Sequence, residues 1–125
     1  MANLTVENDI LIAPELAFEM PALFGNTGVS ADSEGKKIIK AGTPVYGTAN
    51  VFMNRQTVLT VSGGEGASLY GVARHDIDVT AGTKGDTLLV AGYVDYLKLD
   101  SAVQTAVDSA SANLPKITFI KGANY

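Results

Sequence analysis

The feature that most constrains the fold is a series of short β-forming runs separated by glycine, which begins at Lys36 and continues to residue 120. Runs rich in β-branched and aromatic residues and bounded by Gly, Pro, Asn or Asp are typical of strands joined by turns. Gly42 and Pro44 predict a turn that leads into one of these strands. The pattern predicts a mainly β domain with strands in the segments 36–40, 41–47, 57–61, 69–79, 87–94 and 116–120.

One short helix is predicted near the C-terminus. Asp100 or Ser101 can cap it, and Ser101 and Gln104 have the spacing of a capping box. Pro115 prevents its continuation. Because the apolar stripe is narrow and made of small residues, we expect the helix to lie close against a sheet or a neighbouring subunit. The stripe consists of Val103, Ala106, Val107 and Ala110.

Residues 1–35 differ from the rest of the chain and predict an extended N-terminal segment, followed by one compact domain at 36–125. Two of the four prolines lie in this segment, and short apolar stretches alternate with residues that break regular structure. Two interpretations stay open. The segment is either an arm that lies on another molecule or an edge strand of its own domain.

The composition argues against several classes of function. The net charge is −4 and the nine Lys and Arg are dispersed, so a nucleic-acid partner is not expected. There is no cysteine, which excludes disulfides and thiolate metal sites. Acidic residues stand where a signal peptide would be basic, and prolines and glutamates interrupt the first apolar stretch. We therefore expect synthesis in the cytoplasm and no membrane span.

The only histidine, His75, lies in the segment His-Asp-Ile-Asp-Val at 75–79. In a strand, alternate side chains share a face, so His75 points away from Asp76 and Asp78 and is expected to be half-buried in an apolar row. The two carboxylates are then expected on a solvated face beside Arg74. The apolar row would consist of Ala73, His75, Ile77 and Val79.

Asp76 and Asp78 are weak candidates for a metal site, because two carboxylates about 6.6 Å apart fall short of the six to eight oxygens that calcium takes. Catalysis is not expected either. No G-x-S-x-G motif accompanies His75, and no G-K-[ST] follows the glycine-rich segment 62–68. The sequence therefore predicts neither an enzyme nor a cofactor.

Three segments in order carry a resemblance: Ala-Gly-Thr-Pro-Val at 41–45, Leu-Tyr-Gly-Val-Ala-Arg-His-Asp-Ile-Asp-Val-Thr-Ala-Gly at 69–82, and Leu-Leu-Val-Ala-Gly-Tyr-Val-Asp-Tyr-Leu-Lys-Leu at 88–99. This order resembles the lambda-type head decoration and head fibre proteins of tailed bacteriophages. The resemblance covers the C-terminal two thirds. It implies a small β-barrel or β-clip (β-tulip-like) domain that forms homotrimers.

The resemblance also implies a non-enzymatic virion protein that binds the major capsid protein on the outer surface of the head and stabilises it. The N-terminal arm would dock on the shell, so removing residues 2–24 should abolish shell binding and leave a folded oligomer. An alternative is a small β domain that binds a ligand or carbohydrate at a virion or cell surface, with calcium held by Asp76 and Asp78. The candidate capsid contacts are Leu4, Val6, Ile10, Leu11 and Ile12.

Overall fold

The structure of the chain is a computed structural model that describes residues 10–12, 14–54, 56–62 and 67–121. These ranges contain nine strands and one α-helix, α1, at Ser101–Ala110. The strands are β1 (Leu11–Ile12), β2 (Phe18–Phe24), β3 (Ile38–Ile39), β4 (Pro44–Gly47), β5 (Val58–Leu59), β6 (Ser68–Ala73), β7 (Ile77–Asp78), β8 (Lys84–Asp95) and β9 (Ile117–Ile120). Short 3-10 helices occupy Pro14–Leu16, Tyr96–Lys98 and Ser111–Asn113.

The twelve-residue strand β8 is the centre of the main sheet. Its first part pairs with β2 on one side and β6 on the other, and its last part pairs with β1 and β9. The longest path through the sheet is β4-β6-β8-β2-β5, while β3 and β7 form a separate two-stranded sheet. The pairs β8–β9 and β2–β5 are parallel and the other pairs are antiparallel.

The sheet is open, which corrects the barrel that the resemblance implied. Strand β5 has two residues and meets β4 only at an isolated bridge, in which Tyr46 and Thr60 exchange backbone hydrogen bonds of 2.8 and 2.9 Å. A strand this short cannot form the continuous ladder that closes a barrel. The prediction of a mainly β domain with one short C-terminal helix is confirmed.

Two apolar cores lie on opposite sides of the main sheet. The first joins the last part of β8 to α1 and includes Leu11, Leu89, Val94 and Ile117. The second joins β8 to β2, β4, β5 and β7. Its members are Ala22, Phe24, Ile39, Val45, Val51, Leu59, Ala73, Ile77, Val79, Leu88 and Val90.

The helix packs against the first core as the small-residue stripe predicts. Val103, Val107 and Ala110 are buried, whereas Ala106 is exposed. Asp100 occupies the N-cap position without a side-chain cap, and the side chain of Gln104 donates to the carbonyl oxygen of Tyr96 at 2.9 Å. The capping box is therefore not formed. Within the described ranges, no helix is long and apolar enough to cross a membrane.

The boundary predicted at residue 35 is wrong, because residues 10–24 belong to the compact domain. β2 pairs with β8 along its whole length, and Phe24 is completely buried. Pro21 fits inside this strand because β8 is its only partner there among the described residues, and pairing with β5 starts at Leu23. The missing proline N–H therefore interrupts no ladder on the free side. These residues therefore pack on their own domain, as the second interpretation held, although β2 lies between β8 and β5 at Leu23 and Phe24.

Candidate interaction surface

The segment around His75 is not one continuous strand. β6 ends at Ala73 and β7 begins at Ile77, and the residues between them bend. The apolar row is confirmed for Ala73, Ile77 and Val79, which are all buried. The prediction for His75 is wrong: its side chain is 54% exposed, and its Nδ1 lies 3.0 Å from Oδ1 of Asp86.

The charged neighbours of His75 each have a structural role. Nε of Arg74 donates to the carboxylate of Glu19, which ties β2 to the end of β6. Oδ1 of Asp76 accepts the backbone N–H of Ala41 at 2.7 Å. These contacts hold the two-residue turn before β4 against the bend that follows β6.

Asp78 caps the turn that follows β7. Its Oδ1 accepts the backbone N–H of Thr80 at 2.9 Å. Hydrogen bonds from the Thr80 hydroxyl and then its backbone N–H lower the pKa of Asp78, with smaller contributions from Lys36 and Lys84. In the part of the chain that the structure describes, no group of three or more His, Cys, Asp or Glu side chains could hold a metal ion.

We expect calcium to leave the melting temperature of the protein unchanged, because both candidate carboxylates already accept backbone N–H groups at separate turns. Differential scanning calorimetry with calcium and with chelator provides the measurement. A structural ion would raise the melting temperature by mass action. A calcium-dependent rise that is lost in an Asp76→Asn, Asp78→Asn variant would contradict this expectation and favour the ligand-binding alternative.

A groove of about 480 Å³ lies between α1 and the loop that contains Val29. Its walls are mainly apolar, with Tyr46 as the one aromatic ring and Lys40 as the one charged side chain. The remaining lining includes Ile38 and Pro44 on the strands, residues of the helix, and the hydroxyl groups of Ser30, Thr43 and Ser109. The groove offers shape and apolar area but few groups that could orient a polar ligand.

The largest exposed aromatic side chains of the main sheet lie on the face of β8 that turns away from α1. Ile12, Tyr93 and Thr118 are directly opposite one another on β1, β8 and β9. Phe18 is opposite Ala91, two residues from Tyr93 on β8. Because opposite residues and alternate residues share a face, these five side chains form one surface, which we call the exposed apolar face.

The exposed apolar face leaves large side chains in solvent. Phe18 is 57% exposed and Tyr93 is 41% exposed, and Leu16 extends from the adjoining 3-10 helix. The backbone is closely packed behind them, since a Cβ at Gly92 would lie 3.3 Å from Cβ of Ala17. A rigid sheet that presents two aromatic rings is suited to contact with another macromolecule.

The end of β9, beside this face, is attached to the helix. Nζ of Lys121 lies 3.5 Å from Oδ1 of Asp108 and 4.6 Å from the ring centre of Tyr96. The Tyr96 hydroxyl donates to Asp108 at 3.0 Å. Desolvation and then Asp108 raise the pKa of Tyr96, so the hydroxyl stays protonated and can donate. These contacts fix the position of β9 relative to α1.

The candidate capsid contacts divide into three groups. Ile10 and Leu11 are 6% and 1% exposed, and they pack in the first core of their own chain, so that part of the prediction is wrong. Ile12 lies on the exposed apolar face. Leu4 and Val6 lie outside the described residues.

Sequence reasoning did not identify Phe18 or Tyr93 as surface residues. Phe18 lies in the predicted N-terminal segment and Tyr93 in the predicted strand at 87–94, and neither prediction says which way the side chain points. The signal for Tyr93 was present, because the alternation around Val94 places the two side chains on opposite faces of β8. No family model, curated protein or solved structure matches the chain.

Proposed function

We propose that the protein is a non-enzymatic structural component of a phage head, made in the host cytoplasm, which decorates and stabilises the outer surface of the capsid as a homotrimer. Its partner is the major capsid protein. The observation that carries the proposal is the exposed apolar face, where Phe18 and Tyr93 stand in solvent on a rigid part of the sheet. The order of the three motifs in the sequence supports it.

The exposed apolar face suits a decoration protein better than the N-terminal residues Ile10 and Leu11 do. Those two side chains contribute to the core of their own domain and are not available to a shell. Phe18 and Tyr93 can be covered by a partner without any loss of internal packing. Three copies of a weakly binding face in one trimer would bind the shell tightly, because docking of the first copy makes the next contacts intramolecular.

Co-sedimentation with expanded, empty heads of the phage that encodes this chain tests the proposal. We expect saturable binding by the wild-type protein and loss of binding in a Phe18→Ser, Tyr93→Ser variant, because the variant removes both exposed rings. A Met53→Ser variant serves as the control, since Met53 is 85% exposed and lies between β4 and β5. Failure of the wild-type protein to bind, or equal binding by the double variant, would contradict the proposal.

A further inference from the structure

The outer edge of β9 is a free strand edge. Within the described ranges, β9 pairs only with β8. The register matches Gly92 with Ile117, and the N–H of Gly92 donates to the carbonyl oxygen of Lys116 at 3.1 Å. In a parallel ladder, alternate residues bond to the same neighbour, so the backbone N–H and C=O of Phe119 point away from β8. Such an edge is a template for another strand.

The residues at this edge favour an apolar strand that has an acidic end. Ile117 is buried, and Phe119 and Ile120 are half-buried, so an added strand would extend an existing apolar surface. Lys116 and Lys121 stand exposed at the two ends of β9. Lys121 already contacts Asp108, whereas Lys116 has no ion pair among the residues that the structure describes.

We propose that β9 accepts residues Leu4, Thr5 and Val6 of a second copy of this chain as an antiparallel strand, with Glu7 of that copy beside Lys116. The segment has the required chemistry. Leu4 and Val6 would lie on one face and Thr5 on the other, and the acidic residues Glu7 and Asp9 follow directly. The donor segment of three residues is one residue shorter than the edge that it would cover. The proposal rests on the homotrimer of the proposed function and names the contact that would build it.

An antiparallel strand with Glu7 beside Lys116 must come from another copy. Within one chain, Ile10 lies at the Asp95 end of β8, on the side opposite to β9. A strand outside β9 is three strand spacings away from β1, or about 14 Å. The three residues from Glu7 to Ile10 span at most about 11 Å. Because Glu7 would also lie at the Lys116 end of β9, the far end from Ile10, the chain cannot reach its own edge in this direction.

The contact is heterologous, since the donor segment and the acceptor edge are different parts of the surface. Heterologous contacts do not form the closed two-fold dimer of an isologous contact, and they produce rings when the rotation between copies closes. A ring of three copies satisfies every donor and every acceptor. The pairing uses main-chain hydrogen bonds, as in other cases where a peptide adds to a sheet edge.

Two variants distinguish the role of the donor segment from the role of the acceptor edge of β9. Deleting residues 2–8 removes the donor and leaves the described domain intact. Phe119→Pro removes an outward N–H that takes no part in the ladder with β8, and Phe119→Ala is its matched control because it loses the same ring but keeps the N–H. By light scattering, we expect three chain masses for the wild type and for Phe119→Ala. The deletion variant and Phe119→Pro should be folded monomers.

Mixing the two monomeric variants provides the decisive measurement. The deletion variant offers a free edge and Phe119→Pro offers a free segment, so an equimolar mixture should form a dimer with one chain of each. A second pair of variants tests the same contact without relying on the folding of Phe119→Pro. Lys116→Glu should weaken assembly, and adding Glu7→Lys to Lys116→Glu should restore it.

A monomeric wild type, a trimeric deletion variant, or a mixture of folded variants that stays monomeric would each overturn the inference, as would failure of the charge exchange to restore assembly. These measurements of oligomeric state need no phage shells, so their outcome is independent of the proposed function. A trimer that exchanges strands but binds no head would contradict decoration and leave the strand exchange standing. A protein that binds shells but does not exchange strands would contradict the strand exchange and leave decoration standing.

Discussion

A chain that lacks residues 2–24 should fail to fold, and circular dichroism and thermal melting should show no cooperative transition. The deletion removes β1 and β2, and with them the ladder along one side of β8. It also removes Phe24 and Leu11, which are fully buried in the two cores. A domain of this size is stable by only about 5–15 kcal/mol, and the loss of a strand and two large core side chains exceeds that margin.

The control for this deletion is removal of residues 2–8, which ends before the first described residue. That variant should keep a single cooperative transition, because it loses no residue of either core. The sequence pattern alone predicts a different result, namely that residues 2–24 form an arm whose removal leaves a folded oligomer. A cooperative transition in the chain without residues 2–24 would mean that β8 can form its sheet without β2, and the fold described above would then be wrong.

Gly71→Ala should destabilise the main sheet strongly, with a loss of about 3 kcal/mol in the free energy of unfolding. A Cβ on Gly71 would lie 2.2 Å from the carbonyl oxygen of Leu89 and 3.0 Å from Cδ1 of Leu88. The nearest atom belongs to the backbone of the central strand, so a side-chain rotation cannot relieve the overlap. β6 and β8 would have to separate where Val72 pairs with Leu89.

Gly85→Ala is the matched control, because Gly85 lies in β8 and its Cβ would have its nearest contact at 3.9 Å, with Leu23. We expect this variant to stay within about 0.5 kcal/mol of the wild type. Urea denaturation of both variants gives the comparison. Equal stabilities would contradict the close approach of β6 to β8.

Sequence patterns predicted those parts of the fold where local preference and tertiary packing agree. The β-branched runs became strands, α1 formed on its small-residue stripe, and Pro44 opened β4. For β2 the sequence left an arm and an edge strand as alternatives, because Glu19 and Pro21 argue against a buried strand. Glu19 is accommodated because its carboxylate accepts a hydrogen bond from Arg74, which is remote in sequence. Pro21 is accommodated because the pairing of β2 with β5, another remote segment, starts only at Leu23.

The bend at His75 could not be predicted from alternation alone. Residues 69–79 have the period of one strand, and the row of Ala73, Ile77 and Val79 is correct. The strand is interrupted because Asp76 accepts a hydrogen bond from Ala41, 35 residues away. The exposed apolar face was also hidden, since it depends on the register of β1, β2 and β9 against β8.

The most direct test of the proposed function is a density map of expanded phage heads incubated with the purified protein. We predict density for trimers of the protein on the outside of the shell. The exposed apolar face, with Phe18 and Tyr93, should be buried against the major capsid protein. Bare shells, or bound copies with Phe18 and Tyr93 facing solvent, would contradict it.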